Sequence, residues 1–102
     1  MSSLPESPSV IVIGGGIAGL ATAYLIRELG RERGREVQLT VFETCDTAGG
    51  STRTDHVDGY TCEWGPNGFL DNEPATLDLV ERLKLTHHLV RANDNASRRY
   101  IY

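Results

Sequence analysis

The first half of the chain alternates between short apolar runs and a longer periodic segment. Residues 9–13 are mostly β-branched, which predicts a strand, and their continuous apolar character is typical of a parallel strand buried on both faces. Apolar positions then recur at helical spacing from Ile17 to Glu32, and a second β-branched run extends from Val37 to Glu43. Because crossovers between parallel strands are right-handed, this order predicts a βαβ unit.

The predicted helix has an apolar stripe and a charged side. We expect the stripe to face the sheet, since a surface helix buries its apolar positions. The stripe consists of Ile17, Leu20, Ala21, Tyr24 and Leu25, and the side expected to face water carries Arg27, Glu28 and Arg31.

A hairpin and a loop are predicted next. Residues 52–63 alternate loosely around Asp58-Gly59, a dipeptide that favours a tight hairpin turn. Two glycines and a proline then predict a loop over residues 64–69. Apolar positions at helical spacing predict a second helix over residues 73–85, capped by Asp71 or Asn72 and with Pro74 in its first turn.

A glycine motif lies between the first strand and the first helix. Gly14, Gly16 and Gly19 form the pattern G-x-G-x-x-G in the context that a dinucleotide-binding motif requires. Here the first glycine permits a tight turn, the second lets a diphosphate approach the main chain, and the third lets the helix pack closely on the strand. Free amides at the helix N-terminus favour the same phosphates. The motif therefore predicts a dinucleotide site.

An acidic residue and a glycine doublet extend this prediction. Glu43 ends the second strand, where a carboxylate accepts hydrogen bonds from a ribose. It lies 24 residues after Gly19, and a polar helix end and loop account for the excess over the usual ~20. Gly49-Gly50 lets the backbone approach a ligand a second time. A simple nicotinamide-binding unit does not need this doublet, which therefore favours a flavin dinucleotide.

Composition and charge exclude some classes of function. The chain has 102 residues, 39% hydrophobic and 24% charged, with a net charge of −4, as expected for one small globular domain. Arg98-Arg99 is the only basic cluster, so a nucleic-acid partner is not expected. The apolar run over residues 11–26 is shorter than the ~20 residues of a membrane span and contains four glycines, so no transmembrane segment is expected.

Cysteine and histidine positions suggest no metal site. Cys45 and Cys62 lack the spacing of a disulfide framework or a zinc site, and no secretory signal precedes the first strand. His87 and His88 are adjacent but have no third partner, which is typical of a solvated helix end. These features predict a reduced, cytoplasmic protein.

Four segments together resemble the N-terminal part of the FAD-dependent protoporphyrinogen and coproporphyrinogen oxidase family. They are residues 13–20, Glu43 with Gly49-Gly50, residues 65–74 and residues 98–102. The first two are shared with the wider flavin amine oxidase and carotenoid desaturase superfamily, whereas the last two resemble the porphyrinogen oxidases more narrowly. The resemblance covers most of residues 9–102 but only the first part of the family's length. We therefore expect a fragment of a larger enzyme, inactive alone.

The resemblance implies a set of FAD-binding residues and one substrate contact. The FAD-binding residues would be Gly14, Gly15, Gly16, Ile17, Ala18, Gly19, Glu43, Thr44, Gly49, Gly50, Ser51, Gly65, Pro66, Asn67 and Gly68. Those of the first motif would hold the diphosphate, Glu43 and Thr44 the adenosine ribose, and the last four the flavin end. Arg99 would lie near a substrate propionate, and no residue of this chain is expected to act as a catalytic acid or base. Thr47, Ala48 and Gly68 depart from the family's usual arginine, leucine and serine.

The resemblance also implies the fold, the domains and the reaction. We expect a truncated Rossmann-like α/β fold with a parallel sheet, followed by a β-hairpin and a helix. Residues 1–8 would form a disordered lead-in, residues 9–87 the FAD-binding domain and residues 88–102 the start of a substrate domain. The whole enzyme would oxidise protoporphyrinogen IX or coproporphyrinogen III to the porphyrin in haem biosynthesis, with oxygen as the acceptor.

Three other functions stay open at this stage. An amine oxidase or a carotenoid desaturase would share the dinucleotide motifs, and a nicotinamide-dependent dehydrogenase would share the first βαβ unit. A non-catalytic dinucleotide-binding module would have the motifs alone. Peripheral membrane association and homodimer formation through other segments are also left open by the sequence.

Overall fold

The computed structural model describes residues 7–95, and its elements follow the predicted order. The strands are β1 (Ser9–Ile13), β2 (Gln38–Phe42), β3 (Thr54–Val57) and β4 (Tyr60–Glu63). The helices are α1 (Ile17–Glu32) and α2 (Pro74–Arg82), and a short 3-10 helix spans Thr86–His88. The bounds of β1 and α1 are those predicted, whereas β2 is one residue shorter at each end.

Strand pairing confirms the Rossmann-like α/β fold. β1 and β2 are parallel, in a register that runs from Ser9 opposite Gln38 to Ile13 opposite Phe42. The right-handed crossover helix α1 connects them and contacts both. One face of the two-stranded sheet is therefore covered by α1, and the loops that follow β1 and β2 lie at the same edge of the sheet.

The predicted hairpin is also present. β3 and β4 are antiparallel, and the two turn residues Asp58 and Gly59 have φ angles of 51° and 81°. Two consecutive residues with positive φ are the requirement of a two-residue turn whose twist matches that of the strands. The Asp58-Gly59 pair thus forms the turn that its sequence predicts.

Helix α1 packs on the sheet through its small residues. Ala23 is 5% exposed and is the one buried apolar side chain within residues 7–95. A Cβ atom on Gly30 would lie 2.8 Å from Val37 Cγ2, and one on Gly19 would contact the Gly14 carbonyl oxygen. Because Gly19, Ala23 and Gly30 lie on one side of the helix, the helix axis comes close to the strands.

The predicted buried stripe of α1 is only partly covered within residues 7–95, since Ala21 and Tyr24 are half-buried and the other three residues are exposed. Ile17 is 69% exposed and Leu20 and Leu25 are each 39% exposed. The pattern of large apolar residues misleads because close helix–strand packing selects small residues instead. The larger side chains lie on the other sides of the helix, where no described element covers them.

The expectation that β1 is buried on both faces is also not met within residues 7–95. Val10 and Val12 are half-buried on the side of α1, whereas Ile11 is 61% and Ile13 is 80% exposed. The alternation follows from strand geometry, since successive side chains point to opposite faces of the sheet. The described part of the chain covers one of those faces.

A second compact unit begins at Phe69, directly after the first ends at Gly68. The N-cap of its helix α2 is Glu73, whose side chain accepts a hydrogen bond from the Ala75 amide at 3.5 Å, so the predicted caps were wrong. Lys84, with φ 57°, takes the left-handed conformation that commonly ends a helix, which is why α2 ends before Leu85. The predicted domain boundaries stay a prediction.

Candidate functional site

The loop after β1 has the turn that its first glycine predicts. Gly14 has φ 96°, a conformation that side chains disfavour, and its amide donates to the Phe42 carbonyl oxygen at 2.7 Å. A Cβ atom on Gly19 would contact the Gly14 carbonyl oxygen. Both glycines therefore have the structural roles expected of the motif, a tight turn and close packing.

The second glycine faces open space. Gly16 is the N-cap of α1 with an ordinary φ of −76°, and a Cβ atom built on it would meet no protein atom within 4 Å. The first intrahelical bond runs from the Leu20 amide to the Gly16 carbonyl at 2.9 Å, so the amides of Ile17, Ala18 and Gly19 precede it. No side chain caps this helix end. These amides and the open space suit the diphosphate of a dinucleotide.

The carboxylate of Glu43 is held at the end of β2 by main-chain amides. Its Oε2 atom accepts from the Gly15 amide at 2.7 Å, and its Oε1 atom accepts from the Cys45 amide at 3.0 Å and the Thr44 hydroxyl at 3.3 Å. The amides of Cys45 and then Gly15 are the main reason that the pKa of Glu43 lies below its usual range. A charged carboxylate thus stands beside the glycine loop.

The glycine doublet lies directly against the first motif. The Gly49 amide donates to the Gly15 carbonyl oxygen at 2.8 Å, and Gly49 forms an isolated parallel bridge with Gly16. Both doublet residues have positive φ, 123° at Gly49 and 60° at Gly50. A Cβ atom on Gly50 would lie 3.2 Å from Gly16 Cα. The two motifs, separate in sequence, therefore form one surface of main-chain atoms.

The next predicted site residues continue along the same side of the loop. Gly65 packs on Ser51, because a Cβ atom at Gly65 would contact the Ser51 carbonyl oxygen. Pro66, Asn67 and Gly68 are exposed, and the space around Gly68 is open. Contacts thus connect the glycine doublet to the Gly65–Gly68 loop.

Arg99, the predicted substrate contact, lies outside the described residues. No group of three potential metal ligands occurs within residues 7–95, and Cys45 and Cys62 are both free and exposed.

Sequence reasoning missed two features of the site region. The first is the Cys45 amide, which donates to Glu43 Oε1. A local turn of the backbone brings it there, and the side-chain types in the sequence do not reveal that turn. The second is a set of contacts among Arg53, Asp55 and Trp64 at the open end of the hairpin. Alternation along the two predicted strands already puts these three residues on one face of the hairpin, so their contact could have been predicted from the sequence.

Together these features define a dinucleotide-binding α/β protein. An open main-chain surface, the N-terminal amides of α1 and a charged carboxylate after β2 are the chemistry that a ribose diphosphate requires. The chain belongs to the NAD(P)-binding Rossmann-like domain family, whose profile matches residues 12–83.

Individual relatives bear out the predicted resemblance. The chain is 40% identical over 81 residues to the coproporphyrinogen III oxidase of Bacillus subtilis (strain 168), a match that covers 79% of this chain and 17% of that protein. It is 41% identical over 81 residues to the coproporphyrinogen III oxidase of Propionibacterium freudenreichii, covering 79% of this chain and 14% of the relative.

A relative with a different activity in its name also matches. The chain is 35% identical over 91 residues to the probable polyamine oxidase 4 of Arabidopsis thaliana, a match that covers 86% of this chain and 17% of that protein. The chain therefore spans about a sixth of the length of the curated relatives it matches. No helix within residues 7–95 is long and apolar enough to cross a membrane.

Proposed function

We propose that this chain is the dinucleotide-binding part of an FAD-dependent porphyrinogen oxidase of haem biosynthesis. The observation that carries the proposal is the pairing of two glycine motifs, in which the Gly49 amide donates to the Gly15 carbonyl oxygen at 2.8 Å. A single βαβ unit would bind a dinucleotide without this second motif. The names of the bacterial relatives favour coproporphyrinogen III over protoporphyrinogen IX as the substrate to test first.

The residues of the site fit FAD in an extended conformation. The Gly14–Gly19 loop and the N-terminal amides of α1 would hold the diphosphate, and Glu43 with Thr44 would hold the adenosine ribose. Gly49, Gly50 and Ser51 would lie along the remaining chain of the cofactor, and Gly65–Gly68 near its flavin. The arrangement suits a long ligand because Gly16 and Gly68 both border open space.

Chemistry in the proposed enzyme would come from the cofactor, which when bound supplies an acceptor for hydride equivalents from the substrate. The described residues bind and orient. The amides of Ile17, Ala18 and Gly19 stabilise negative charge at the phosphates, and the carboxylate of Glu43 fixes ribose hydroxyls. Oxygen is proposed as the final acceptor, and Arg99 is proposed to pair with a substrate propionate.

An oxidation assay tests this proposal. The full-length protein is mixed in air with freshly reduced coproporphyrinogen III or protoporphyrinogen IX, and porphyrin fluorescence is followed against an enzyme-free control. We expect a rate well above autoxidation with one of the two, and the ratio of the rates identifies the substrate. Rates equal to the control with both would overturn the proposal.

A second candidate is a polyamine oxidase, favoured by the match to the Arabidopsis protein. Such an enzyme would use the same dinucleotide site and differ in the substrate domain. Hydrogen peroxide release on addition of spermine or spermidine, without porphyrin formation, would support this alternative.

A cytoplasmic location is also part of the proposal. The exposed and unpaired thiols of Cys45 and Cys62 suit a reducing compartment. Cell fractionation with an antibody to the protein tests this, and recovery in a secreted or periplasmic fraction would contradict it.

A further inference from the structure

Three side chains form a closed set of contacts on the hairpin, next to the Gly65–Gly68 loop. Asp55 Oδ2 accepts a hydrogen bond from the Trp64 indole N–H at 2.7 Å. The Arg53 Nε and Nη2 atoms donate to the two oxygens of Asp55, each at 3.2 Å. The Arg53 guanidinium also lies 5.1 Å from the centre of the Trp64 ring. We refer to Arg53, Asp55 and Trp64 as the Trp64 cluster.

The hairpin register explains why these residues meet. Asp55 is opposite Cys62, two residues before Trp64, and Arg53 is two residues before Asp55, so all three lie on one face of the hairpin. The main chain joins at the same point, because the Trp64 amide donates to the Arg53 carbonyl oxygen at 2.8 Å. The cluster therefore closes the open end of the hairpin with both side-chain and main-chain bonds.

Contacts continue from the Trp64 cluster to the dinucleotide site. Gly65 follows Trp64 and packs on the Ser51 carbonyl oxygen, and Ser51 follows Gly50, which packs on Gly16. The separation between Ser51 and Gly65 is thus set on one side by the glycine motifs and on the other by the cluster.

The exposure of the Trp64 cluster indicates that its role is to position the chain after β4 rather than to stabilise the fold. Trp64 is 67% exposed and the Arg53 side chain is 64% exposed. Exposed ion pairs and cation–π contacts add little to folding stability. The indole hydrogen bond to Asp55 and the guanidinium beside the ring nevertheless hold the Trp64 side chain, and the two Arg53–Asp55 hydrogen bonds hold the groups that it contacts. Together they fix the direction in which the chain leaves β4.

We propose that the Trp64 cluster positions the Gly65–Gly68 loop for the flavin half of the dinucleotide. In this assignment Trp64 and Asp55 are positioning residues that act through Gly65 and Ser51. The adenosine half, held by the Gly14–Gly19 loop and Glu43, does not depend on them. The inference rests on the proposed function, because it requires a ligand that extends beyond the first glycine motif.

The test compares two ligands in the full-length protein. FAD reaches both halves of the site, whereas ADP carries the adenosine and diphosphate alone. Trp64→Phe keeps a ring beneath Arg53 but has no N–H for Asp55. We expect it to weaken FAD binding about tenfold, the size of one charge-assisted hydrogen bond, and to leave ADP affinity unchanged. The visible absorption band of bound FAD should shift as well.

Two further variants sharpen the comparison. Tyr60→Phe is the matched control, since Tyr60 is an exposed aromatic residue at the start of β4, the strand that Trp64 follows, and lies at the other end of the hairpin. It should change neither affinity. Asp55→Asn keeps an acceptor for the indole N–H and should weaken FAD binding less than Trp64→Phe. Should Trp64→Phe fail to fold, Asp55→Asn gives the same FAD-to-ADP comparison.

The outcomes separate this inference from the proposed function. If the wild-type protein binds no FAD, the proposed function fails and the inference with it. If the wild-type protein binds FAD but Trp64→Phe lowers FAD and ADP affinity equally, or neither, the inference alone is overturned. A selective loss of FAD affinity, with ADP retained, supports it.

Discussion

The Glu43 carboxylate accepts a hydrogen bond from the Gly15 amide at 2.7 Å. This bond joins the acidic end of β2 to the glycine loop after β1, so the ribose-binding group and the diphosphate-binding group are positioned as one unit. The Cys45 amide holds the other carboxylate oxygen at 3.0 Å. A carboxylate has about four acceptor sites, and the two amides and the Thr44 hydroxyl fill three of them, so Oε2 retains one site for a ribose hydroxyl.

Replacing Glu43 by glutamine should weaken dinucleotide binding. The amide keeps one acceptor oxygen but loses the charge, and because hydrogen bonds to a charged group are stronger than neutral ones, FAD affinity should fall roughly tenfold or more. Isothermal titration of FAD into the full-length protein measures the change. Glu81→Gln, an exposed glutamate in α2, is the control and should bind as the wild type does. Equal FAD affinity of the two variants would show that Glu43 does not bind the dinucleotide.

The pH dependence of binding should follow the carboxylate of Glu43. Its pKa in the folded protein lies below its ordinary value of 4.5, mainly because of the Cys45 and Gly15 amides. The contribution of the charged form to the site is therefore complete above pH 4.5 and is lost as the pH falls through the lowered pKa. FAD affinity measured from neutral pH downward should stay level until that range and then fall. The Glu43→Gln variant should lack this fall, and a fall of the same size in the variant would contradict the assignment.

Two glycine substitutions should separate binding from folding. Gly16→Ala places a methyl group in open space, so the melting temperature should fall only by the small cost of alanine at an N-cap while FAD affinity falls at least about tenfold. Gly19→Ala places one against the Gly14 carbonyl oxygen and should destabilise the fold by about 1–3 kcal/mol. Thermal unfolding without ligand, beside FAD titration, distinguishes the two. Unchanged FAD affinity in Gly16→Ala would show that the space beside it is not a ligand site.

The face that α1 turns to the sheet is open to a direct check. Ala23 is 5% exposed, so Ala23→Leu should overpack the helix–sheet contact and lower the free energy of unfolding by about 1–3 kcal/mol. Thr22 is the adjacent, exposed position, and Thr22→Leu should change stability little. Denaturant unfolding compares them. If Thr22→Leu destabilised the protein more than Ala23→Leu, the face of α1 that packs on the sheet would instead be the one that carries the large apolar residues.

The 102-residue chain, expressed alone, should show no oxidase activity and should take up less than one equivalent of FAD. Within residues 7–95 one face of the parallel sheet is bare, with Ile11 61% and Ile13 80% exposed, and such surfaces leave a small sheet poorly stabilised. Porphyrin fluorescence and flavin absorbance after gel filtration measure both quantities. Full FAD loading by this chain would contradict the expectation.

Local chemistry made much of the fold predictable. The φ angle of 96° at Gly14 and the contact at Gly19 follow from the spacing of the motif, and the hairpin turn follows from Asp58-Gly59. These features depend on a few neighbouring residues whose conformational limits are known. The acidic end of β2 was equally readable, because the second strand has to bring its last residue beside the glycine loop.

Features that depend on packing were not predictable in this way. The stripe of Ile17 and Leu20 suggested the wrong face of α1, since helical periodicity does not reveal that close packing selects Ala23 and two glycines. The Glu73 cap of α2 was missed because aspartate and asparagine, which precede it, are the preferred N-cap residues and glutamate is not. The Trp64 cluster depends on the exact register of the hairpin, which sets Arg53 opposite Trp64 and Asp55 opposite Cys62.

The most direct test of FAD binding at the paired glycine motifs is a titration of the full-length protein with FAD and with NADPH, for the wild type and for Gly16→Ala. We expect a yellow wild-type protein that binds one equivalent of FAD and no NADPH, and a Gly16→Ala variant that loses FAD while its fold is retained. A wild-type protein that binds NADPH through Gly16 and takes up no FAD would contradict this expectation and would make the second glycine motif irrelevant to the ligand.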